Sequence, residues 1–230
     1  MTEALTALSL VFAGDTALYG IVRLSLIVSL AAVAIAGLIG LPLGAALALA
    51  RFPGRQTIVI LLNACMGLPP VVVGLAVFLL LSRSGPLGPL GVLFTPQAMV
   101  VAQAILVTPI VAALTRQTIE DLWSEYRDEL TGMGASAASG VTALLWDARF
   151  SLVTILLAGF GRAAAEVGAV MIVGGNIDGF TRTMTTAIAL ETSKGDLPLA
   201  LGLGLVLISI VIAVNALAWG ARRFGERHAG

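Results

Sequence analysis

The stretch Val22–Ala50 reads VRLSLIVSLAAVAIAGLIGLPLGAALALA and carries a single charged residue, Arg23. A membrane-spanning helix needs about 20 predominantly apolar residues. This run is therefore long enough to cross a bilayer with a tilt or a bend. Further apolar runs follow along the chain, and together they predict five spans. The predicted spans cover about 22–50, 57–81, 98–114 (a short one), 150–173 and 197–219.

The composition of the whole chain is typical of a membrane protein. Hydrophobic residues make up 58% and charged residues 11%, and the mean hydropathy is +1.02. Soluble domains carry about 25% charged residues. The apolar runs are continuous and lack the two-residue alternation of a transmembrane β-barrel. We predict an all-α integral membrane protein in which residues 1–230 form a single transmembrane domain, with no C-terminal regulatory domain after the fifth span.

Side chains suited to catalysis or metal binding are scarce. His228 is the only histidine, and Cys65 is the only cysteine and lies in an apolar run. The chain contains no G-x-x-x-x-G-K-[ST] phosphate-binding sequence. We expect no enzyme activity, no catalytic residue, and no metal or cofactor in this chain.

The arginines predict the orientation, because lysine and arginine are enriched in cytoplasmic loops. The side with fewer basic residues has Arg23, Arg83, Arg182 and Lys194. The prediction places the N-terminus outside, the C-terminus inside and residues 115–149 in the cytoplasm. Residues 1–20 lack the basic start of a signal peptide and are expected to remain as an interfacial segment. The cytoplasmic set is Arg51, Arg55, Arg116, Arg127, Arg149, Arg222, Arg223 and Arg227.

The segment 115–149 is the polar exception in this apolar chain. It reads TRQTIEDLWSEYRDELTGMGASAASGVTALLWDAR. A membrane protein that concentrates charge in one internal loop is expected to contact a soluble partner through it. The acidic residues of the segment are Glu120, Asp121, Glu125, Asp128, Glu129 and Asp147.

Arg162 and Glu166 are the charged residues that lie well inside a predicted span. They are four residues apart, so on a helix they share a face and can pair. Charged groups inside a membrane usually face a bundle interior or a wet path. Two interpretations stay open: a structural pair between helices, or an element of a translocation path or gate.

Prolines are predicted to interrupt the first three spans, at Pro42, at the pair Pro69–Pro70, and at Pro109. Each removes a backbone donor and is tolerated where neighbouring helices or water satisfy the freed carbonyls. At Pro69 and Pro70 a structural kink and a pore-lining bend are both open. Small residues four apart mark one face of the first span, which favours close helix contact. They are Ala32, Ala36, Gly40, Gly44 and Ala48.

The connection after the fourth span begins with Gly174-Gly175-Asn176, which predicts a helix stop. A short helix is expected from Thr181 to Glu191. The N-terminus of such a helix suits an oxyanion, although a plain extracytoplasmic connector has the same composition. We hypothesise that Arg182, Thr183 and Thr185 lie at an outer gate.

The polar segment resembles the cytoplasmic loop of ABC importer permeases. That loop reads Glu-Ala-Ala, three residues, Gly, and about nine residues later an apolar-Leu-Pro element. Here Asp128-Glu129-Leu130 stands at Glu-Ala-Ala, Gly134-Ala135-Ser136 matches the glycine and its followers, and Leu145-Trp146-Asp147 replaces Leu-Pro. Residues 165–177 and 181–192, with Gly-Gly-Asn-Ile and Thr-Arg-Thr, closely resemble the tungstate-specific branch and are similar to molybdate permeases. The resemblance covers roughly residues 20–220.

This resemblance implies a homodimer in a bacterial or archaeal inner membrane, with two cytoplasmic ATPase subunits that hold ATP and Mg²⁺. An extracytoplasmic binding protein would deliver the oxyanion, most plausibly tungstate, and ATPase closure would switch access across the membrane. The residues implied in ATPase coupling are Glu125, Asp128, Glu129, Leu130, Met133, Gly134 and Ala135. The hypothesised path or gate residues are Pro69, Pro70, Arg162, Glu166, Gly174, Gly175, Asn176, Arg182, Thr183 and Thr185.

Other functions stay open on the sequence. A molybdate, sulfate or other oxyanion permease of the same type fits, because these anions are all tetrahedral and spacing does not separate them. A self-contained channel or secondary transporter is disfavoured by the poverty of titratable groups in the spans. A scaffold subunit without a path of its own is the third alternative.

Overall fold

The structure is a computed structural model, and it describes residues 16–132 and 137–228. Within these ranges the chain forms α-helices, one short 3₁₀ turn at Gly88–Leu90 and no strand, which confirms the all-α prediction. The predicted interfacial segment at residues 1–20 lies outside the described residues up to position 15. The helices are α1 (Thr16–Leu49), α2 (Arg55–Met66), α3 (Pro70–Leu81), α4 (Pro96–Gly132), α5 (Ala137–Asp147), α6 (Arg149–Ala164), α7 (Gly168–Gly174), α8 (Met184–Lys194) and α9 (Leu197–His228).

Helices α1 and α4 form the central pair of the fold. Ala32 and Ala36 on α1 are fully buried. A Cβ on Gly44 would lie 2.4 Å from the carbonyl oxygen of Ala112 on α4, so only glycine allows this approach. A Cβ on Gly40 would lie 2.9 Å from Val111. The small-residue face of the first span therefore serves packing within the chain.

Three helices are long and apolar enough to cross a membrane, over Leu18–Leu49, Pro96–Glu129 and Leu197–Gly220. Two helix pairs qualify only together, because each of their helices alone is too short; α2 and α3 meet at a bend of 99°, and α6 and α7 at one of 60°. Counting each bent pair as one span gives up to five in the described part of the chain, in agreement with the prediction. The break between α2 and α3 lies at the predicted interruption by Pro69 and Pro70, whereas the break between α6 and α7 was not predicted.

The third span is predicted to end at about Leu114, and α4 continues without a break beyond it to Gly132. The apolar run ends near Leu114, but glutamate, arginine and leucine are good helix formers. Helical spacing of apolar residues also continues, since Ile119 is fully buried and Leu122, Trp123 and Tyr126 pack on the same core. The first half of the polar segment is thus a helix that leads directly out of the third span.

Pro42 and Pro109 lie inside α1 and α4 and do not end them, so the prediction that they interrupt their spans was wrong. Next to Pro109, the Thr108 hydroxyl donates to the carbonyl oxygen of Ala104 at 2.7 Å and satisfies a carbonyl of the preceding turn. By contrast, Pro69 and Pro70 lie at a break between two helices. Pro69 caps α3 and Pro70 is its first residue, a position where the missing N–H costs nothing.

Candidate functional site

The breaks in the two bent pairs lie against each other. A Cβ on Gly168 would come 2.8 Å from a methyl group of Val71, and one on Gly74 would come 2.7 Å from the Cα of Ala169. The first turns of α3 and α7 therefore meet at backbone distance. We use the name two-break centre for residues 67–70 and 165–168, together with the side chains that contact them. Discontinuous helices of this kind form the substrate sites of many transporters.

Glu166 is the charged residue of the two-break centre. Its carboxylate pairs with the guanidinium of Arg162 at 2.5 Å and accepts a hydrogen bond from the Ala169 amide at 3.2 Å. The Glu166 side chain is buried, whereas about a third of the Arg162 side chain is exposed. The predicted pair is thus formed. Glu166 lies just past the end of α6, so the pair spans the bend and places a carboxylate at the start of α7, where the helix dipole favours it.

Helices α4 and α8 each contribute one hydrogen bond to this centre. The Gln103 amide on α4 donates to the carbonyl oxygen of Ala163 at 3.0 Å. The Thr185 hydroxyl on α8 donates to the carbonyl oxygen of Glu166 at 2.7 Å. These bonds satisfy carbonyls at the bend, where the helical ladder is interrupted. The buried Gln103 Oε1 has no hydrogen-bond partner among the described residues.

Gln103 was not identified by the sequence reasoning. The available signal was a polar amide inside the third apolar run, which is costly unless it is hydrogen-bonded. It is buried in the structure.

The predicted helix stop at Gly174-Gly175-Asn176 is confirmed. Helix α7 ends at Gly174, and Gly175 caps it in the left-handed conformation with φ of 72°. Asn176 follows with φ of 49°. The buried Thr181 hydroxyl donates to the carbonyl oxygen of Gly174 at 2.6 Å and accepts from the Ile177 amide at 2.9 Å, which closes this turn.

The short helix predicted from Thr181 begins at Met184 in the structure. The Thr183 amide donates to the Thr186 hydroxyl at 3.0 Å, and this local bond sets the later start. The Met184 amide donates to the Ser25 hydroxyl on α1 at 2.8 Å. Two amides that an oxyanion could use are therefore already paired within the protein.

The structure divides the hypothesised gate residues into two groups. Thr185 belongs to the two-break centre through its bond to Glu166, and the buried Thr183 hydroxyl lies 3.3 Å from the Thr185 hydroxyl. Arg182 lies farther out and pairs with Asp178 at 2.9 Å. Their role at a gate stays a prediction.

At the opposite end of the fold, α4 and α5 carry the polar segment, which we name the cytoplasmic arm (residues 115–149) after its predicted location. Glu125, Asp128 and Glu129 are exposed on the last turns of α4. The side chain of Leu130 and residues Met133, Gly134 and Ala135 lie outside the described residues. Farther along, Trp146 is 71% exposed. The Arg149 guanidinium lies 5.1 Å from the centre of its ring.

Glu120 anchors the base of the cytoplasmic arm. Its carboxylate pairs with Arg116 on α4 and with Arg55 at the start of α2. Arg55 also donates to the carbonyl oxygen of Leu47 at 2.8 Å, a carbonyl without a helical partner at the end of α1. The arm is thus fastened to α1 and α2. From the sequence, Arg55 and Arg116 serve only to predict the orientation. The four-residue spacing of Arg116 and Glu120 is a signal for that pair, whereas no spacing indicates the pair of Arg55 with Glu120.

Comparison with known proteins gives close relatives along nearly the whole chain. No protein-family model matches it. The chain is 42% identical over 220 residues to a probable anion ABC transporter permease protein of Haloferax volcanii, covering 94% of each chain. It is 40% identical over 213 residues to a tungstate uptake system permease protein of Peptoclostridium acidaminophilum, covering 93% of each. A tungstate uptake system permease protein of Campylobacter jejuni is 37% identical over 173 residues, which are 75% of this chain and 72% of that protein.

Proposed function

The chain belongs to the family of ABC transporter permeases, and we propose that it is the membrane-spanning subunit of an ATP-driven importer of tungstate or a closely related oxyanion. The observation that carries the proposal is the near full-length similarity to a tungstate uptake permease. The chain is an integral membrane protein, and its long apolar helices fit this role. Molybdate and sulfate are the nearest alternatives as substrate, because they share the tetrahedral shape of tungstate.

The transporter would contain two copies of this chain, two cytoplasmic ATPase subunits and an extracytoplasmic oxyanion-binding protein. ATP and Mg²⁺ would bind to the ATPase subunits, because this chain has no Gly-rich phosphate loop. The chain itself would not catalyse a reaction. Its part is to convert closure of the ATPases into alternating access.

The cytoplasmic arm is the proposed contact with the ATPase. Exposed Glu125, Asp128 and Glu129 can fix the register of a docked surface. Leu130 and Met133 would be buried against that surface. Helix α4 runs unbroken from Pro96 to the arm, so a displacement of the arm would be carried into the membrane by one continuous helix. The Arg55–Glu120–Arg116 contacts would pass the same displacement to α1 and α2.

The two-break centre is the proposed moving part of the path. Pro69, Pro70, Arg162 and Glu166 lie where two helices are interrupted, and interrupted helices can change their bend with little loss of helical hydrogen bonds. Arg182, Thr183 and Thr185, together with the turn 174–176, would border the outer end of this path.

Reconstitution tests the proposal directly. The purified chain, its ATPase and its binding protein are placed in liposomes, and accumulation of radioactive tungstate is followed. Accumulation that needs ATP, the ATPase and the binding protein is the expected result, with unlabelled molybdate and sulfate as competitors to rank the substrates. Tungstate flux from the chain alone, without ATP, would overturn the proposal and favour a channel or secondary transporter.

A further inference from the structure

A cavity of about 430 Å³ opens between α1 and the loop that joins α7 to α8. We call it the outer cavity, because it lies at the end of α1 opposite to the cytoplasmic arm. Its α1 wall includes Arg23, Leu24 and Ile27, and its loop wall includes Asp178, Phe180 and Arg182. The volume lies within the usual range for small-ligand sites, about 300 to 1,000 Å³.

One hydrogen bond fixes the two walls relative to each other. The Met184 amide donates to the Ser25 hydroxyl at 2.8 Å, and the Ser25 hydroxyl in turn donates to the carbonyl oxygen of Ile21. Arg23 precedes Ser25 by two residues, and Arg182 precedes Met184 by two. Both arginines line the cavity, Arg23 from α1 and Arg182 from the loop.

Both guanidinium groups have hydrogen-bonding capacity to spare. Arg23 is exposed on an otherwise apolar helix and has no ion-pair or hydrogen-bond partner among the described residues. Arg182 pairs through Nη1 with Asp178, but its buried Nε has no partner in the described part of the chain. The Asp178 side chain is 77% exposed, so it can turn toward solvent when another anion takes its place.

We propose that the outer cavity is a transient binding site for a tetrahedral oxyanion dianion, held between Arg23 and Arg182; this rests on the proposed function. Planar guanidinium groups bind oxyanions through paired, charge-assisted hydrogen bonds. The apolar side chains of Leu24, Ile27 and Phe180 line the same space and lower the local dielectric, which strengthens those bonds.

The affinity of this site for the anion is low, because Asp178 competes with the anion for Arg182. Weak binding suits a step in which the anion has left its binding protein and must move on. The site would therefore be occupied briefly, ahead of the two-break centre.

A chemical reporter tests the site without using transport. Phe180 lines the cavity and is half exposed, so Phe180→Cys in a Cys65→Ala background places the only thiol of this chain there. The rate of modification by an uncharged maleimide is measured on the complete transporter complex, with sodium tungstate as the probe and sodium chloride at equal ionic strength as the reference. Tungstate should slow the reaction several-fold, and chloride should not.

Arginine variants test whether Arg23 and Arg182 hold the anion that protects the thiol. Arg23→Gln and Arg182→Gln should each raise the half-protecting tungstate concentration about tenfold, the loss expected for one charge-assisted hydrogen bond. Arg83→Gln is the matched control, because Arg83 is exposed and lies outside the cavity. Arg23→Gln breaks no bond in the described structure, so it reports on the site without disturbing the fold.

Three results would overturn the proposal: no protection by tungstate, equal protection by chloride, or protection that Arg23→Gln leaves unchanged. Protection by the anion-free binding protein but not by tungstate would assign the cavity to protein docking and also overturn it. Because the reporter needs no transport, loss of ATP-dependent uptake with protection intact would count against the proposed function and not against the site.

Discussion

The polar groups of the two-break centre and of the cytoplasmic arm differ in their exposure to solvent. In the centre, Glu166, Gln103 and Thr185 are buried, and each bonds to another part of the chain. In the arm, the acidic residues of α4 beyond Glu120 are exposed: Asp121, Glu125, Asp128 and Glu129. The centre is thus hydrogen-bonded within one chain, whereas the arm leaves charge exposed at the surface where the ATPase is proposed to dock. Variants of the centre should therefore lower stability, and variants of the arm should lower transport with stability unchanged.

The largest expected effect belongs to the arm. Gly134→Asp should abolish ATP-dependent tungstate uptake, because a charged side chain replaces the glycine at the strongest point of the resemblance to the ATPase-coupling loop. Uptake is measured in proteoliposomes, and the thermal stability of the detergent-purified chain is measured in parallel. Stability should equal that of the wild type.

Gly132→Asp is the comparison variant, because Gly132 is exposed two residues earlier and stands at one of the three unspecified positions between Leu130 and Gly134 in the motif. Normal uptake by the Gly134→Asp variant would remove the docking role from the arm. A loss of stability in that variant would contradict the contrast between the arm and the centre.

The second prediction concerns Glu166. Glu166→Ala leaves Arg162 unpaired and the Ala169 amide without its acceptor, and it should lower the free energy of unfolding by about 2 to 3 kcal/mol. The figure is below the full cost for a buried pair because Arg162 is partly exposed. Detergent-induced unfolding in mixed micelles provides the measurement.

The double variant Arg162→Met/Glu166→Met separates the two roles left open by the sequence. Apolar replacement of both partners should restore stability to within about 1 kcal/mol of the wild type. Uptake lost in this stable variant would assign the pair to the path or gate. Uptake retained would make it a structural pair, and stability no better than that of Glu166→Ala would contradict the pairing itself.

The third prediction probes the contact between the two breaks. Gly74→Ala places a methyl group 2.7 Å from the Cα of Ala169, and since backbone must move to make room, it should cost about 1 to 2 kcal/mol of stability. Gly204→Ala on α9 is the control, because a Cβ there meets no atom within 4 Å. That control should gain up to about 1 kcal/mol, as alanine is the better helix former. Equal effects in the same unfolding measurement would show that α3 and α7 do not meet so closely.

The sequence predicted the helical class, the approximate positions of the spans and the Arg162–Glu166 pair because each depends on local composition or helical spacing. It placed the helix stop at Gly174 for the same reason. The extension of α4 was missed because a hydropathy criterion ends where charge begins, although the helix is still supported by buried Ile119.

Contacts between segments that are distant along the chain could not be predicted from the sequence. Nothing in the order of residues indicates that Gly168 faces Val71, that Arg55 reaches Glu120, or that Ser25 meets Met184. These contacts depend on how helices cross, which a single sequence does not specify. They also define the two-break centre and the outer cavity.

The smallest expected effect comes from the hydrogen bond that joins α8 to the centre. Thr185→Val keeps the shape of the side chain but leaves the carbonyl oxygen of Glu166 without the Thr185 donor, and it should lower the free energy of unfolding by about 1 kcal/mol. Thr154→Val on α6 is the control, since Thr154 is exposed and its hydroxyl bonds only within its own helix; its effect should be near zero. Both are measured in the same mixed-micelle unfolding experiment. A Thr185→Val variant as stable as its control would mean that α8 is held by its apolar contacts with α9 and by Ser25. The two-break centre would then consist of α3, α4, α6 and α7, without a contribution from α8.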